Sequence, residues 1–235
     1  MKKMRTTWPY LFLIILLHSL IVIPAIFTIT HAETWIAEAW DSKTGHIALI
    51  NYFIQNPYNF LSYPNHLVST TPGYHLLLSK ISLLFKLQSI NENTWVIRLF
   101  NTIPGYFLII SVWLIAWKLK SDVKLNFSLV LPIALSYYLL ASSIWINTDN
   151  VAALFYSLLM LIFLTNRSSI LGGLTAFLMV FSRQVYLPVI ASFWPIALFH
   201  KQQPRLLKFA ISTTLFSFFI PMLSTTYTSS MVFSS

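Results

Sequence analysis

Cysteine is absent from this sequence, and acidic residues are scarce: Asp and Glu together number 6 in 235 residues. Without cysteine, disulfide bonds and thiolate-bound metals are excluded. The two isolated aspartates Asp41 and Asp149 are too few ligands to predict a metal site, and we expect neither a metal nor a cofactor. Charged residues make up only 9% of the chain, a fraction too low for an ordinary soluble domain.

The sequence instead contains long apolar runs. Hydrophobic residues make up 57% and aromatic residues 16%, and the mean hydropathy is +0.71. Several apolar runs approach or exceed the ~20 residues that cross a bilayer. The sequence therefore predicts one all-α domain over residues 1–235, a polytopic membrane protein with about seven transmembrane helices. The expected spans are residues 9–30, 96–117, 127–146, 151–164, 170–181, 185–199 and 206–223.

The apolar run 74–87 is shorter and contains Lys80 and Lys86, which favours an interfacial helix over a span. If this run stays outside the membrane and the amino terminus is cytoplasmic, ten of the 15 Lys and Arg residues lie in the cytoplasm, as the positive-inside rule requires. Those ten are Lys2, Lys3, Arg5, Lys118, Lys120, Lys124, Arg167, Lys201, Arg205 and Lys208. A large first external loop, about residues 31–95, would then carry interfacial helices.

The net charge of +9 does not indicate nucleic-acid binding, because the basic residues are scattered between apolar runs and form no stripe. We expect an integral protein of a bacterial inner membrane or of the endoplasmic reticulum. Residues 1–32 also have the basic start, apolar stretch and Thr30-His31-Ala32 ending of a signal peptide. The apolar stretch is longer than a usual signal core, which favours an uncleaved first span.

The strong polar residues fall in or beside the predicted external segments. Asp41 follows Trp40 just beyond the first span, where a carboxylate can act as a general base, although Asp is also a common helix cap. His46 could orient that carboxylate or bind a phosphate. Thr70 and Thr71 precede Pro72-Gly73, a pattern typical of a helix start, whose free N–H groups suit a phosphate.

Three further polar pairs lie at predicted external span ends. Arg98 and Asn101 are three residues apart and share one helical face, where they could grip a phosphate or sugar hydroxyls or, for Arg98, reach the headgroups. Thr148-Asp149 fits a short turn between two spans. Arg183-Gln184 interrupts the apolar stretch 170–199, as a polar hairpin turn or as a functional pair.

Taken in order, these residues resemble a known enzyme family. The series Asp41…His46, Thr70-Thr71-Pro72-Gly73, Arg98-x-x-Asn101, Thr148-Asp149 and Arg183-Gln184 is similar to motifs of the α-1,2-glucosyltransferases of the endoplasmic reticulum that use dolichyl-phosphate glucose. Those enzymes belong to the GT-C superfamily of membrane glycosyltransferases and extend lipid-linked oligosaccharides in protein glycosylation. The resemblance covers roughly residues 39–186, and the chain is expected to correspond to the amino-terminal half of such an enzyme.

The resemblance implies a hexosyltransferase that moves a sugar, glucose in that family, from a polyprenyl-phosphate carrier to a glycan or lipid-linked oligosaccharide, with inversion. Asp41 would be the catalytic base. Substrate binding would fall to His46, Thr70, Thr71, Arg98, Asn101, Asp149, Arg183 and Gln184. The implied partners are the bilayer, the sugar donor, the glycan acceptor and a partner subunit.

Two other functions fit the sequence. One is a catalytically inactive lipid-sugar-binding subunit or truncated relative, which half the family length favours. The other is a transporter of a polyprenyl-linked substrate, which should place polar residues near mid-membrane. Here the polar residues gather at the span ends, so a transporter ranks third.

Overall fold

A computed structural model describes residues 7–28, 45–58, 73–88, 94–120, 122–200 and 202–232. In these segments the regular structure is helical, as predicted. The helices are α1 (Trp8–Thr28), α2 (Ala48–Gln55), α3 (Gly73–Leu84), α4 (Thr94–Leu119), α5 (Val123–Ala134), α6 (Tyr137–Ile144), α7 (Asp149–Leu164), α8 (Ser169–Ser182), α9 (Leu187–Phe199) and α10 (Pro204–Val232), with a 3₁₀ turn at Gln184–Tyr186.

Two of these helices, α1 and α4, are long and apolar enough to cross a membrane. The pair α5 and α6 is a third if both halves form one broken span. Helices α7, α8 and α9 are apolar but have only 16, 14 and 13 residues. The described residues are therefore helical as predicted, with two or three helices that could cross a membrane, while seven crossings stay a prediction.

The expected span 127–146 is not one straight helix. It corresponds to α5 and α6, which are bent by 54° relative to each other. Ser136 makes the break: its Oγ donates to the Ile133 carbonyl at 2.7 Å and accepts from the Leu139 amide at 3.3 Å. One serine thus ends α5 and caps the start of α6, because a short hydroxyl side chain competes well for backbone groups at helix ends.

Contacts between helices fix their relative directions. Ser111 of α4 hydrogen-bonds Ser157 of α7 at 2.5 Å, and Ile97 and Val151 share one apolar cluster, so α4 and α7 are parallel. Helix α1 is antiparallel to α4, because His18 packs on Tyr106 near its middle and Phe27 packs on Trp95 near its end. The turn at Asn166, with φ of 58°, reverses the chain into α8.

The bundle consequently has two chemically different ends. We call the end where α4 and α7 begin the site end, and the end where α8 and α10 begin the basic end. The basic end holds the described basic residues expected in the cytoplasm, namely Lys118, Lys120, Lys124, Arg167, Arg205 and Lys208. This grouping is the one that the charge count requires; the side of the membrane that each end faces stays a prediction.

Gly105 allows α4 to approach α6 and α7 closely, near the middle of the bundle. A Cβ added there would lie 2.6 Å from Ser143 Oγ and 3.1 Å from Asn150 Nδ2. Small residues at such contacts let membrane helices pack backbone to backbone. We expect Gly105→Ala to lower the free energy of unfolding by roughly 1–3 kcal/mol through overpacking, measured by thermal unfolding in detergent.

The atom closest to the added Cβ is the Ser143 hydroxyl oxygen. A Ser143→Ala chain therefore provides a matched background in which that atom is absent. In a Ser143→Ala chain the nearest remaining obstacle is the Asn150 amide, so the Gly105→Ala substitution should cost less there than in the native chain. Equal losses in the two backgrounds would show that the contact with Ser143 is not the cause.

Candidate functional site

Five of the nine predicted site residues lie at the site end of the bundle: His46, Arg98, Asn101, Asp149 and Arg183. Asp41, Thr70 and Thr71 lie outside the described residues. Gln184 begins the 3₁₀ turn, and its side chain is likewise outside the described part.

Asn101 is fully buried and is engaged on both sides of its amide. Its Nδ2 donates to the carbonyls of Ser142 at 2.9 Å and Trp145 at 2.5 Å, while its Oδ1 accepts from the Tyr74 hydroxyl at 2.9 Å. The last carbonyls of a helix lack partners within that helix, and Asn101 satisfies one such group and the carbonyl beyond it. A residue expected to bind sugar thus ties α3, α4 and α6 together.

Arg98 has the same kind of role. It is the largest fully buried side chain described, and its Nη1 donates to the Ile144 carbonyl at 2.8 Å. The prediction that Arg98 and Asn101 share a helical face is confirmed, because both reach the end of α6. Their interactions with backbone carbonyls fix the short segment 145–148, and that segment positions the start of α7.

Asp149 and Arg183 form an ion pair that the sequence did not predict. Asp149 is the first residue of α7, where a carboxylate is stabilised by the helix dipole, and its amide donates to Asn147 Oδ1 at 3.2 Å. Arg183 follows α8 directly. The side chains are 16% and 37% exposed respectively, so both members of the pair are partly accessible to solvent.

Two tyrosines lie next to Arg183 in the fold. The Tyr186 and Tyr156 rings lie 6.0 Å apart between centroids. The Tyr186 amide donates to the Arg183 carbonyl at 3.4 Å, which holds the two residues next to each other. Aromatic faces beside charged hydrogen-bonding groups suit a sugar ring. Sequence analysis missed these tyrosines, although Tyr186 lies only three residues after Arg183.

His46 contacts a second histidine that sequence analysis also missed. Its Nδ1 lies 2.6 Å from His75 Nε2, and the rings are nearly parallel with centroids 4.9 Å apart. His46 lies in a π-helical turn at 45–47, and His75 lies in the first turn of α3. Both are buried, and Nδ1 of His75 has no partner within the described segments. The pair joins the start of α2 to α3.

The beginning of α3 is fixed from another side as well. A Cβ at Gly73 would overlap the Phe181 ring of α8, so the backbone of α3 passes directly against that ring. Phe181 lies two residues before Arg183. The α3 start, the α6 end and the Asp149–Arg183 pair therefore belong to one packed region.

Burial of His75 should make stability depend on pH. Desolvation first, and then the charge of His46, hold the pKa of His75 well below its ordinary value of 6.5. The unfolded chain thus binds more protons than the folded one below pH 6.5. Stability is full above that pH and falls as the pH decreases, by up to about 1.4 kcal/mol per pH unit.

We expect the unfolding midpoint of the native chain to fall between pH 7 and pH 5, and His75→Gln to make that dependence shallower, measured by thermal unfolding. His200→Gln is the matched control, because His200 is exposed between α9 and α10. A His75→Gln chain with the full native dependence would contradict this expectation.

The described residues include no group of three or more His, Cys, Asp or Glu side chains that could hold a metal ion. Comparisons of the chain with models of known protein families, with curated proteins and with solved structures find no match. The glycosyltransferase assignment therefore stays a prediction from the residues.

Proposed function

We propose that this chain is a membrane glycosyltransferase of the GT-C type, transferring a hexose such as glucose from a polyprenyl-phosphate carrier to a glycan or lipid-linked oligosaccharide. The observation that carries the proposal is the gathering of His46, Arg98, Asn101, Asp149 and Arg183 at one end of the bundle. These residues are spread over more than 130 positions of the sequence. Unrelated loop residues would not be expected to meet in one packed region, whereas residues of a single site would.

An apolar groove beside this region supports a lipid-linked donor. The groove has a volume of about 380 Å³ and runs along the exposed side of the first turns of α4. Its lining is Phe85, Trp95, Val96, Leu99, Phe100 and Ile103. A polyprenyl tail placed there would leave its phosphate near the site end, at the depth of the lipid headgroups.

In the proposed reaction the acceptor hydroxyl attacks the anomeric carbon while the bond from that carbon to the phosphate oxygen breaks. Asp41 takes the hydroxyl proton, the polyprenyl phosphate leaves with the bonding electrons, and the anomeric configuration inverts. Arg183 would stabilise the charge on the leaving phosphate by exchanging Asp149 for it. Thr70, Thr71, Gln184 and His46 would hydrogen-bond the sugar or the phosphate.

We also propose that the chain crosses the membrane about seven times with its amino terminus in the cytoplasm. The basic end would face the cytoplasm, and the site end would face the lumen or the outside. The antiparallel arrangement of α1 with α4 and the basic residues at one end support this topology.

The direct test is sugar transfer in membranes. Membranes containing the chain, supplied with a polyprenyl-phosphate hexose labelled in the sugar, should yield labelled acceptor and free polyprenyl phosphate in equal amounts. Membranes with the Asp41→Asn chain at the same abundance are the matched control. Donor binding without any transfer by the native chain would overturn the enzymatic proposal.

One observation favours a second candidate, a catalytically inactive subunit that binds lipid-linked sugar. Arg98 and Asn101 donate to backbone carbonyls, and Arg183 is already paired with a carboxylate. In this arrangement the residues expected to bind phosphate instead stabilise the packing of the helices. Crosslinking of a photoreactive polyprenyl phosphate to the chain, without transfer, would support this candidate.

A further inference from the structure

A small pocket at the basic end lies between the turn that joins α7 to α8 and the first turn of α10. It has a volume of about 10 Å³, and its lining includes Phe163, Arg167, Ser169, Arg205, Leu206 and Phe209. We propose that Arg167 and Arg205, at the rim of this pocket, bind the phosphate of an anionic phospholipid headgroup. The proposal is independent of sugar transfer, because the pocket lies at the end of α7 opposite Asp149.

No described carboxylate pairs with either of the two arginines of the pocket. Arg167 and Arg205 are exposed and form no ion pair with any described residue. Of the described carboxylates, Asp149 is paired with Arg183 at the site end, and Asp122 accepts from the Leu125 amide at 2.9 Å as the cap of α5. Two guanidinium groups on one pocket suit a phosphate, whose oxygens accept paired hydrogen bonds from each planar fork.

The backbone positions the two arginines at the pocket. Asn166 turns the chain with φ of 58°, and the Arg167 amide donates back to the Ile162 carbonyl at 3.2 Å, which holds Arg167 beside the pocket. Helix α8 begins at Ser169 and α10 begins at Pro204, so both helices start at the pocket. The positive ends of these two helices are offset by the negative end of α7 at the same pocket, so the arginines are the groups that favour an anion.

One wall of the pocket is apolar, which favours a lipid as the source of the phosphate. Phe163 and Phe209 pack edge to face with centroids 5.4 Å apart, and Leu206 is buried between these helices. Ile170 and Leu207 next to the pocket are 63% and 42% exposed. A molecule with a phosphate head and acyl chains matches both the charged rim and this apolar flank. Basic pockets between membrane helices commonly bind such headgroups.

The test compares lipids on the full chain in neutral detergent. Added phosphatidylglycerol should raise the thermal unfolding temperature, and added phosphatidylcholine, which carries no net charge, should raise it far less. The Arg167→Gln/Arg205→Gln chain should require a phosphatidylglycerol concentration about tenfold higher or more for the same stabilisation, because charge-assisted hydrogen bonds are lost. Both side chains are exposed, so glutamine should leave the fold intact.

The matched control is Lys118→Gln/Lys120→Gln, which removes the same charge at the same end outside the pocket. Equal loss of response in the two double variants would overturn the proposal in favour of diffuse attraction, and so would equal stabilisation by the two lipids. Inorganic phosphate is the third arm. If it stabilises the native chain as strongly as phosphatidylglycerol and fails on the arginine variant, the lipid assignment is overturned and the pocket is a site for free phosphate.

Discussion

Replacement of Asp41 by asparagine is expected to lower sugar transfer by about 100-fold or more, because a positioned general base contributes about 10²–10⁴-fold to such a reaction. Asparagine keeps the size and much of the hydrogen bonding of aspartate but cannot accept the proton. The measurement is the initial rate of release of labelled hexose from a polyprenyl-phosphate donor, with abundance of the chain in the membrane determined in parallel.

The same predicted loop offers a matched control. Glu38→Gln removes a carboxylate three positions earlier without changing the resemblance to the family motif, and its transfer rate should stay near native. An Asp41→Asn chain that transfers sugar at the native rate would remove Asp41 from the role of base. Equal loss in the Glu38 variant would point to loop charge in general.

Replacement of Asn101 by leucine is expected to lower the free energy of unfolding by about 3 kcal/mol or more. Leucine has a similar volume but offers neither donor nor acceptor, so the Ser142 and Trp145 carbonyls and the Tyr74 hydroxyl all lose a partner in a buried place. Each buried polar group left unsatisfied costs about 1–3 kcal/mol. Thermal or denaturant unfolding in detergent measures the loss.

A graded series separates this cause from general disruption of α4. Tyr74→Phe removes only the hydroxyl and should cost about 1–3 kcal/mol, since it leaves the buried Asn101 Oδ1 without this donor. Phe107→Leu changes a side chain on the same helix that is 55% exposed, and it should be nearly neutral. If Asn101→Leu costs no more than Phe107→Leu, the amide does not hold the end of α6.

The helices were predictable because long apolar runs have few alternatives in a membrane, where backbone groups must be satisfied within a helix. The break at Ser136 was not predictable from the sequence. A serine inside an apolar run can lie within a continuous helix, or it can cap the end of one helix and the start of the next. Periodicity predicted the shared face of Arg98 and Asn101, but it could not identify their partners. Those partners are backbone carbonyls of α6, and any residue supplies a carbonyl.

The site itself was predicted as a set of residues without pairings. Asp149 and Arg183 are 34 positions apart and meet only because α7 and α8 are antiparallel neighbours. His75 carried no motif, and its contact with His46 depends on how α2 packs on α3. Such contacts are decided by tertiary packing, which local patterns in one sequence do not encode.

The contact between Gly73 and Phe181 has a consequence for the order in which the molecule is made. Helices α1, α4, α5 and α6 share one apolar cluster, whereas the start of α3 finds its partner Phe181 only when α8 has been synthesised. During that interval the large loop ahead of α4 lacks one of its anchors. The site end is thus completed only after residue 181 has been synthesised, and a chain that stops before that residue lacks this anchor.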